Sequence, residues 1–174
     1  LFTIFWYNAV YTYSKRITAF AVVPGALTGA LPPLIGWVAA GGELLDRPIV
    51  FIGFLLFTGQ IPHFWLLILR YGEEYKTAGL PSLTDRFSYA QVKRLTFTWV
   101  VTSVIAALFL CYFGIIHNVA IIGILLITSV FLIWQFSKLL RTTAASNSLR
   151  FYSILLYSYY LLLLILLISD RILI

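Results

Sequence analysis

The chain has 174 residues, 61% of them hydrophobic and only 10% charged, with a mean hydropathy of +0.98. A soluble domain carries roughly a quarter charged residues, so a water-soluble enzyme and a disordered segment are both excluded, and an all-α, polytopic transmembrane helical bundle is the class that fits. Twelve Lys and Arg against six Asp and Glu give a net charge of +6, which in a bilayer protein reports orientation and does not imply nucleic acid.

A membrane-spanning helix takes about 20 apolar residues. Apolar runs separated by polar breaks fall at 1–13, 17–40, 48–69, 95–114, 118–137 and 150–168. The first is short, and the chain starts at Leu1 with no Met and no signal-peptide pattern, so an N-terminally truncated single membrane domain is expected. The second holds Pro24-Gly25 and Pro32-Pro33, which predicts a kinked or interrupted helix. Its Gly25 and Gly29 form a small-xxx-small pair suited to close helix approach, with no chemistry attached. Asp46, just before Pro48, reads as a helix cap. The long connection 70–94 ends in Ser88 with Gln91 three residues on, a capping box. Cys111 reads as a buried small hydrophobe, since a lone cysteine offers neither a disulfide nor a thiol metal site. His117 reads as a solvated loop residue.

Basic residues decide the topology. Lys15 and Arg16 lie in the first connection. Arg70, Lys76, Arg86, Lys93 and Arg94 lie in the third, and Lys138, Arg141 and Arg150 in the fifth. Only Arg47 and Arg171 fall on the other side. The positive-inside rule puts the first, third and fifth connections in the cytoplasm or its organellar equivalent, with both visible termini outside.

Polar residues form two stripes that run toward that same side. Asn8, Tyr11 and Lys15 are spaced for one face of the first segment, and Gln60, His63 and Arg70 for one face of the third. Polar groups at membrane depth are costly unless they face the bundle interior or a watered cavity, so the stripes suggest a cavity open to the cytoplasm. Interhelical hydrogen bonding without a ligand is the alternative. Beyond Arg70 come Glu73-Glu74-Tyr75-Lys76 and Ala78-Gly79-Leu80-Pro81. Two carboxylates with nearby cations suit a Mg²⁺-bound diphosphate, the cations stabilising the departing charge. A solvated loop with ordinary salt bridges is the alternative there. Among thirty aromatics, Phe64, Trp65, Trp99 and Tyr157 are candidates to line a cavity and stabilise a carbocation. Belts and lipid-facing filler account for most of the rest.

Three blocks, in order, carry a family resemblance. They are Tyr11-Thr12, Lys15-Arg16 and Thr18 with Pro24-Gly25 and Gly29 to Trp37; then Gln60-Ile61-Pro62-His63-Phe64-Trp65; then Arg70 to Tyr75 with Ala78-Gly79-Leu80-Pro81. Together they resemble the protoheme IX farnesyltransferases, or heme O synthases, of the UbiA-type intramembrane prenyltransferases. The likeness is strong over 1–94 and rests on hydropathy and segment count over 95–174.

The resemblance implies nine transmembrane helices, of which these six would be the fourth to ninth, in a bacterial inner membrane or its organellar equivalent. It implies transfer of a farnesyl group from farnesyl diphosphate to the vinyl group of heme B, the product serving a terminal oxidase. Glu73 and Glu74, where the family usually shows Asp, would bind Mg²⁺-diphosphate. Arg70, Lys76, Lys15 and Arg16 would neutralise phosphate charge. Asn8, Tyr11, Gln60 and His63 would line the cavity, with His63 nearest the heme or its propionates. Association with other heme-pathway or oxidase-assembly proteins fits the same reading. The family's first acidic motif is not among these residues, so the segment alone is expected to be inactive. Two rivals remain: a UbiA-type enzyme acting on a quinone precursor, and a non-enzymatic membrane transporter.

Overall fold

The computed structural model describes residues 1–141 and 146–173. The described residues form helices joined by short turns, with no strand. The chain opens with α1 (Phe2–Phe5), a π-helical stretch (Trp6–Tyr11) and α2 (Thr12–Ile17), which run end to end through helical dihedrals. Thr18 breaks the run with extended backbone at φ −146° and ψ 140°. A 3₁₀ turn (Ala19–Ala21) then leads into α3 (Val22–Ala39). The remaining helices are α4 (Arg47–Thr77), α5 (Tyr89–Tyr112), α6 (Val119–Leu139) and α7 (Ser146–Leu173), with a 3₁₀ turn (Leu83–Asp85) between α4 and α5. Five helical stretches, beginning with Ala19–Ala39, are long and apolar enough to cross a membrane. The α1–α2 rod is shorter and is not one of them.

Helix α4 is the centre of the bundle, packed against α3, α5 and α7. Its Leu55, Ile61, Trp65 and Leu66 are buried against Val100, Val104 and Leu110 of α5 and Leu156 and Leu163 of α7. Lipid tails are as apolar as leucine, so close packing and not water exclusion must hold helices together within a bilayer. Gly59 supplies such a contact: a Cβ there would overlap the ring of Tyr160 on α7. At the positively charged end, α4 bends at Tyr71, whose φ −116° and ψ 21° are not helical. At 1.5 Å per residue the part up to Arg70 is about 36 Å long, enough for the bilayer core, and the bend separates a short polar turn from it.

Several expectations are refined. Helix α3 is continuous despite its three prolines. Pro24 falls in the first turn, where no intrahelical bond is lost. Pro32 and Pro33 remain inside an unbroken helix. The connection expected at 70–94 narrows to 78–88, because 70–77 continues α4 and α5 begins at Tyr89. The Ser88–Gln91 capping box is present: Gln91 N donates to Ser88 Oγ (3.3 Å) and Ser88 N to Gln91 Oε1 (2.8 Å). Asp46 occupies the N-cap position of α4 without a capping side-chain bond. Its Oδ2 accepts instead from Trp37 Nε1 (2.9 Å) and Glu43 N (3.2 Å), which ties the α3–α4 turn. His117 is half exposed, as a loop residue should be, yet it is not free. Its backbone N–H and that of Asn118 donate to Asp170 of α7 (2.8–3.2 Å), and its Nδ1 lies 3.7 Å from the same carboxylate.

Candidate functional site

Two cavities lie against α4, one lined by Phe64 and the other by its chain neighbour His63, with the two ring centroids 5.6 Å apart. The first, about 120 Å³, lies at the positively charged end and is lined by Tyr11, Lys15, Thr18, Phe64, Tyr75 and Pro81, among others. Lys15 of the first connection and 75–81 of the third therefore share one end of the bundle, which is the pairing the charge count requires. The local structure explains which polar residues arrive. A π-helical turn holds more residues than an α-turn, so positions three apart no longer share a face. Tyr11 and Lys15, which both follow from the end of that stretch, keep a common face, with Lys15 Nζ 6.0 Å from the Tyr11 ring centroid. Asn8 is turned away: it is exposed and its Nδ2 donates to Ile4 O (2.8 Å) on its own helix. Arg16 is also exposed and is not among the lining residues.

The small pair on α3 has a role that spacing did not reveal. A Cβ on Gly25 would come within 2.8 Å of the Tyr11 ring, and one on Gly29 within 2.6 Å of the Gln60 amide. The two glycines thus form the surface on which both polar stripes lie.

Past the Tyr71 bend, Glu73 and Glu74 are exposed on the helical turn that also carries Tyr75 into the cavity. Lys76 Nζ lies 3.6 Å from Glu73 Oε1, a solvent-facing pair of little energetic weight. The Arg70 guanidinium lies 4.7 Å from the Tyr71 ring centroid, with its Nε buried and making no hydrogen bond. Among the described residues no three His, Cys, Asp or Glu side chains converge as a metal cluster. Two adjacent exposed carboxylates match in donor type what Mg²⁺ takes from protein when phosphate oxygens complete its shell.

The second cavity, about 70 Å³, lies between α4 and α7 and is lined by Gln60, His63, Tyr157 and Tyr160 with Leu56 and Leu156. The Tyr157 hydroxyl sits 2.6 Å from Nδ1 and 2.8 Å from Nε2 of His63. Tyr160 is partly buried, and its enclosed hydroxyl makes no hydrogen bond among the described residues. Of the aromatic candidates, Phe64 and Tyr157 line cavities, whereas Trp65 is buried and packs edge-to-face on Trp99 at 6.2 Å. Tyr75 as a lining group and Tyr157 as the partner of His63 were not anticipated. The available signal was hydroxyl-rich Tyr157-Ser158-Tyr159-Tyr160 inside a leucine-rich run.

At the opposite end the polar groups are engaged in loop architecture: Asp46 in the α3–α4 turn and Asp170 in the α5–α6 turn. An apolar groove of about 570 Å³ there is lined by Phe51, Phe54, Phe113 and Ile115, with Arg47 at its edge.

Comparison with known proteins gives a consistent answer. The chain is 48% identical over 79 residues to protoheme IX farnesyltransferase of Geobacter sulfurreducens, covering 45% of this chain and 29% of the relative. It is 40% identical over 117 residues to that of Oleidesulfovibrio alaskensis (66% and 40%). To that of Bartonella tribocorum it is 33% identical over 162 residues (88% and 51%). The chain thus spans about half the length of these relatives, or less. The likeness reaches well beyond residue 94, into helices that carry none of the three motif blocks. No solved structure gives a significant match. The UbiA prenyltransferase family pattern matches residues 1–168; this integral membrane chain, with its five spanning-length helices, belongs to the UbiA prenyltransferase family.

Proposed function

We propose that this chain forms the later part of a heme O synthase, which joins the farnesyl group of farnesyl diphosphate to the vinyl group of heme B. The observation that carries the reading is that neighbouring residues of α4, His63 and Phe64, line two unlike polar cavities. The first is basic, with Lys15 beside the Glu73–Glu74 turn; the second is lined by Gln60, His63 and Tyr157. A transfer between a diphosphate and a large planar acceptor needs two such regions within reach of one reacting carbon. Each cavity is smaller than a whole ligand site, which typically measures about 300–1,000 Å³, so each would hold the polar end of a substrate whose bulk lies in the apolar bundle.

In this reading the bond between farnesyl C1 and the diphosphate oxygen breaks, and the diphosphate leaves with the electron pair. The terminal vinyl carbon forms the new carbon–carbon bond. A water oxygen adds to the other vinyl carbon and releases a proton, leaving a hydroxyethylfarnesyl side chain. Lys15, which lines the cavity, offsets the charge that develops on the leaving group, with Arg70 and Lys76 near the turn that carries Tyr75 adding to it. Glu73 and Glu74 would hold Mg²⁺ together with diphosphate oxygens, and the chemistry that ion supplies is charge neutralisation. Tyr11 and Phe64, whose ring centroids are 6.4 Å apart, present π-faces to the allylic cation. His63 meets the heme or its propionates. The excess of basic residues at this end supports a cytoplasmic orientation for it, and relatives named protoheme IX farnesyltransferase support the choice of acceptor.

The test is to supply membranes containing the full-length protein with farnesyl diphosphate and either heme B or an aromatic quinone precursor. Mass spectrometry should find heme carrying one farnesyl group and one added water. Prenylation of the quinone precursor alone would overturn the heme reading and leave the superfamily chemistry standing.

A further inference from the structure

We propose that Tyr157 is a positioning residue for the acceptor, holding the imidazole of His63 at the edge of the α4–α7 cavity; this rests on the reading of that cavity as the acceptor side. Helix α7 presents three tyrosines within four residues, and they differ in what they meet. Tyr159 meets Ser129 of α6 at 3.0 Å, the Tyr160 ring packs on Gly59 of α4 with its hydroxyl enclosed and unbonded, and Tyr157 meets His63 of α4. Tyr159 and Ser129 are 5% and 2% exposed. Their bond is enclosed, as a contact that only joins helices should be, because a polar pair in an apolar medium is best shielded.

Tyr157 differs. It is 51% exposed, and the Tyr157–His63 pair borders an open cavity together with the Gln60 amide. A hydrogen-bonded pair that lines a cavity beside a second polar group is placed to meet whatever enters that cavity. Its geometry suits orientation of a ring. The hydroxyl lies within hydrogen-bond distance of both imidazole nitrogens and both donates and accepts. It therefore holds the ring edge whichever nitrogen carries the proton. The ring centroids are 4.7 Å apart, so rotation of His63 is also limited by contact. At 1.5 Å per residue His63 stands about 10 Å along α4 from Arg70, and it lines a different cavity from Lys15. Loss of the tether should therefore disturb one substrate and spare the other.

The experiment measures KM for heme B and for farnesyl diphosphate separately, using the full-length enzyme with Tyr157→Phe, Tyr159→Phe and His63→Ala. One net hydrogen bond is worth about 0.5–1.5 kcal/mol, roughly two- to tenfold. Tyr157→Phe should raise KM for heme B by about that factor and leave KM for farnesyl diphosphate unchanged. Tyr159→Phe, which removes the enclosed bond of the same helix, should leave the KM for heme B unchanged. Equal effects of the two tyrosine variants on heme B, equal changes in both KM values, or no change with Tyr157→Phe would each overturn the proposal. An unchanged KM for heme B in His63→Ala would instead overturn the underlying assignment of the acceptor side. Should Tyr157→Phe fail to accumulate, Tyr157→Gln keeps a donor and an acceptor on α7 and should show a smaller rise in KM for heme B; an unchanged value or a matched rise for both substrates refutes the role there too.

Discussion

Asp170 sets the register of α7, and its removal has a calculable consequence. The carboxylate is fully covered and accepts from His117 N at 3.1 and 3.2 Å and from Asn118 N at 2.8 Å. Asp170→Ala leaves both backbone N–H groups without their partner. Each buried donor so orphaned costs about 1–3 kcal/mol, an upper range of about 2–6 kcal/mol for the two. The cover over Asp170 is a single turn at the end of the bundle, so water reaches the vacated space and the loss should fall near the lower limit, about 2 kcal/mol. The half-exposed His117 ring at 3.7 Å adds little. Asp170→Asn should lose less, since the amide oxygen still accepts one N–H. The assay is denaturant or thermal unfolding of the full-length protein in a fixed detergent, comparing Asp170→Ala, Asp170→Asn and the natural chain. Equal stability of all three would refute the reasoning, and so would a greater loss for Asn than for Ala.

Gly59→Ala forces a Cβ into the ring of the partly buried Tyr160, an overpacking that costs about 1–3 kcal/mol. The same unfolding assay should show that loss, together with lower transfer activity as α7 moves away from His63. Glu74→Ala should abolish farnesyl transfer while leaving the amount of membrane-inserted protein unchanged, because the side chain is exposed. Near-normal activity would return Glu74 to the role of a solvated surface acid.

The spanning helices α3 to α7 were legible because each carries a sustained apolar run, and the Ser88–Gln91 box because its spacing is local. Tyr11, Lys15, Gln60 and His63 were legible as polar residues that a bilayer tolerates only for a reason. Asn8 was misjudged because α-helical spacing does not apply across a π-helical turn. The acidic pair was read as part of a loop because nothing local in Arg70-Tyr71-Gly72 marks a bend after which the helix resumes. The Tyr157–His63 contact spans 94 positions and the Asp170–His117 contact spans 53. Such pairs depend on helix packing, and single-chain periodicity carries no trace of them. Gly25 and Gly29 were seen as a packing pair, but that Tyr11 and Gln60 lie upon them follows only from the approach of the π-helical stretch and α4 to α3.

The central claim is a division of labour between the Lys15 cavity and the His63 cavity, and separate titration of the two substrates with Lys15→Ala and His63→Ala tests it most directly. Loss of a charged partner is worth about 1.5–3 kcal/mol, on the order of ten- to a hundredfold. Lys15→Ala should therefore raise KM for farnesyl diphosphate by about that factor with little change for heme B, and His63→Ala should do the reverse. Matched changes for both substrates in either variant, or the opposite assignment, would contradict the account.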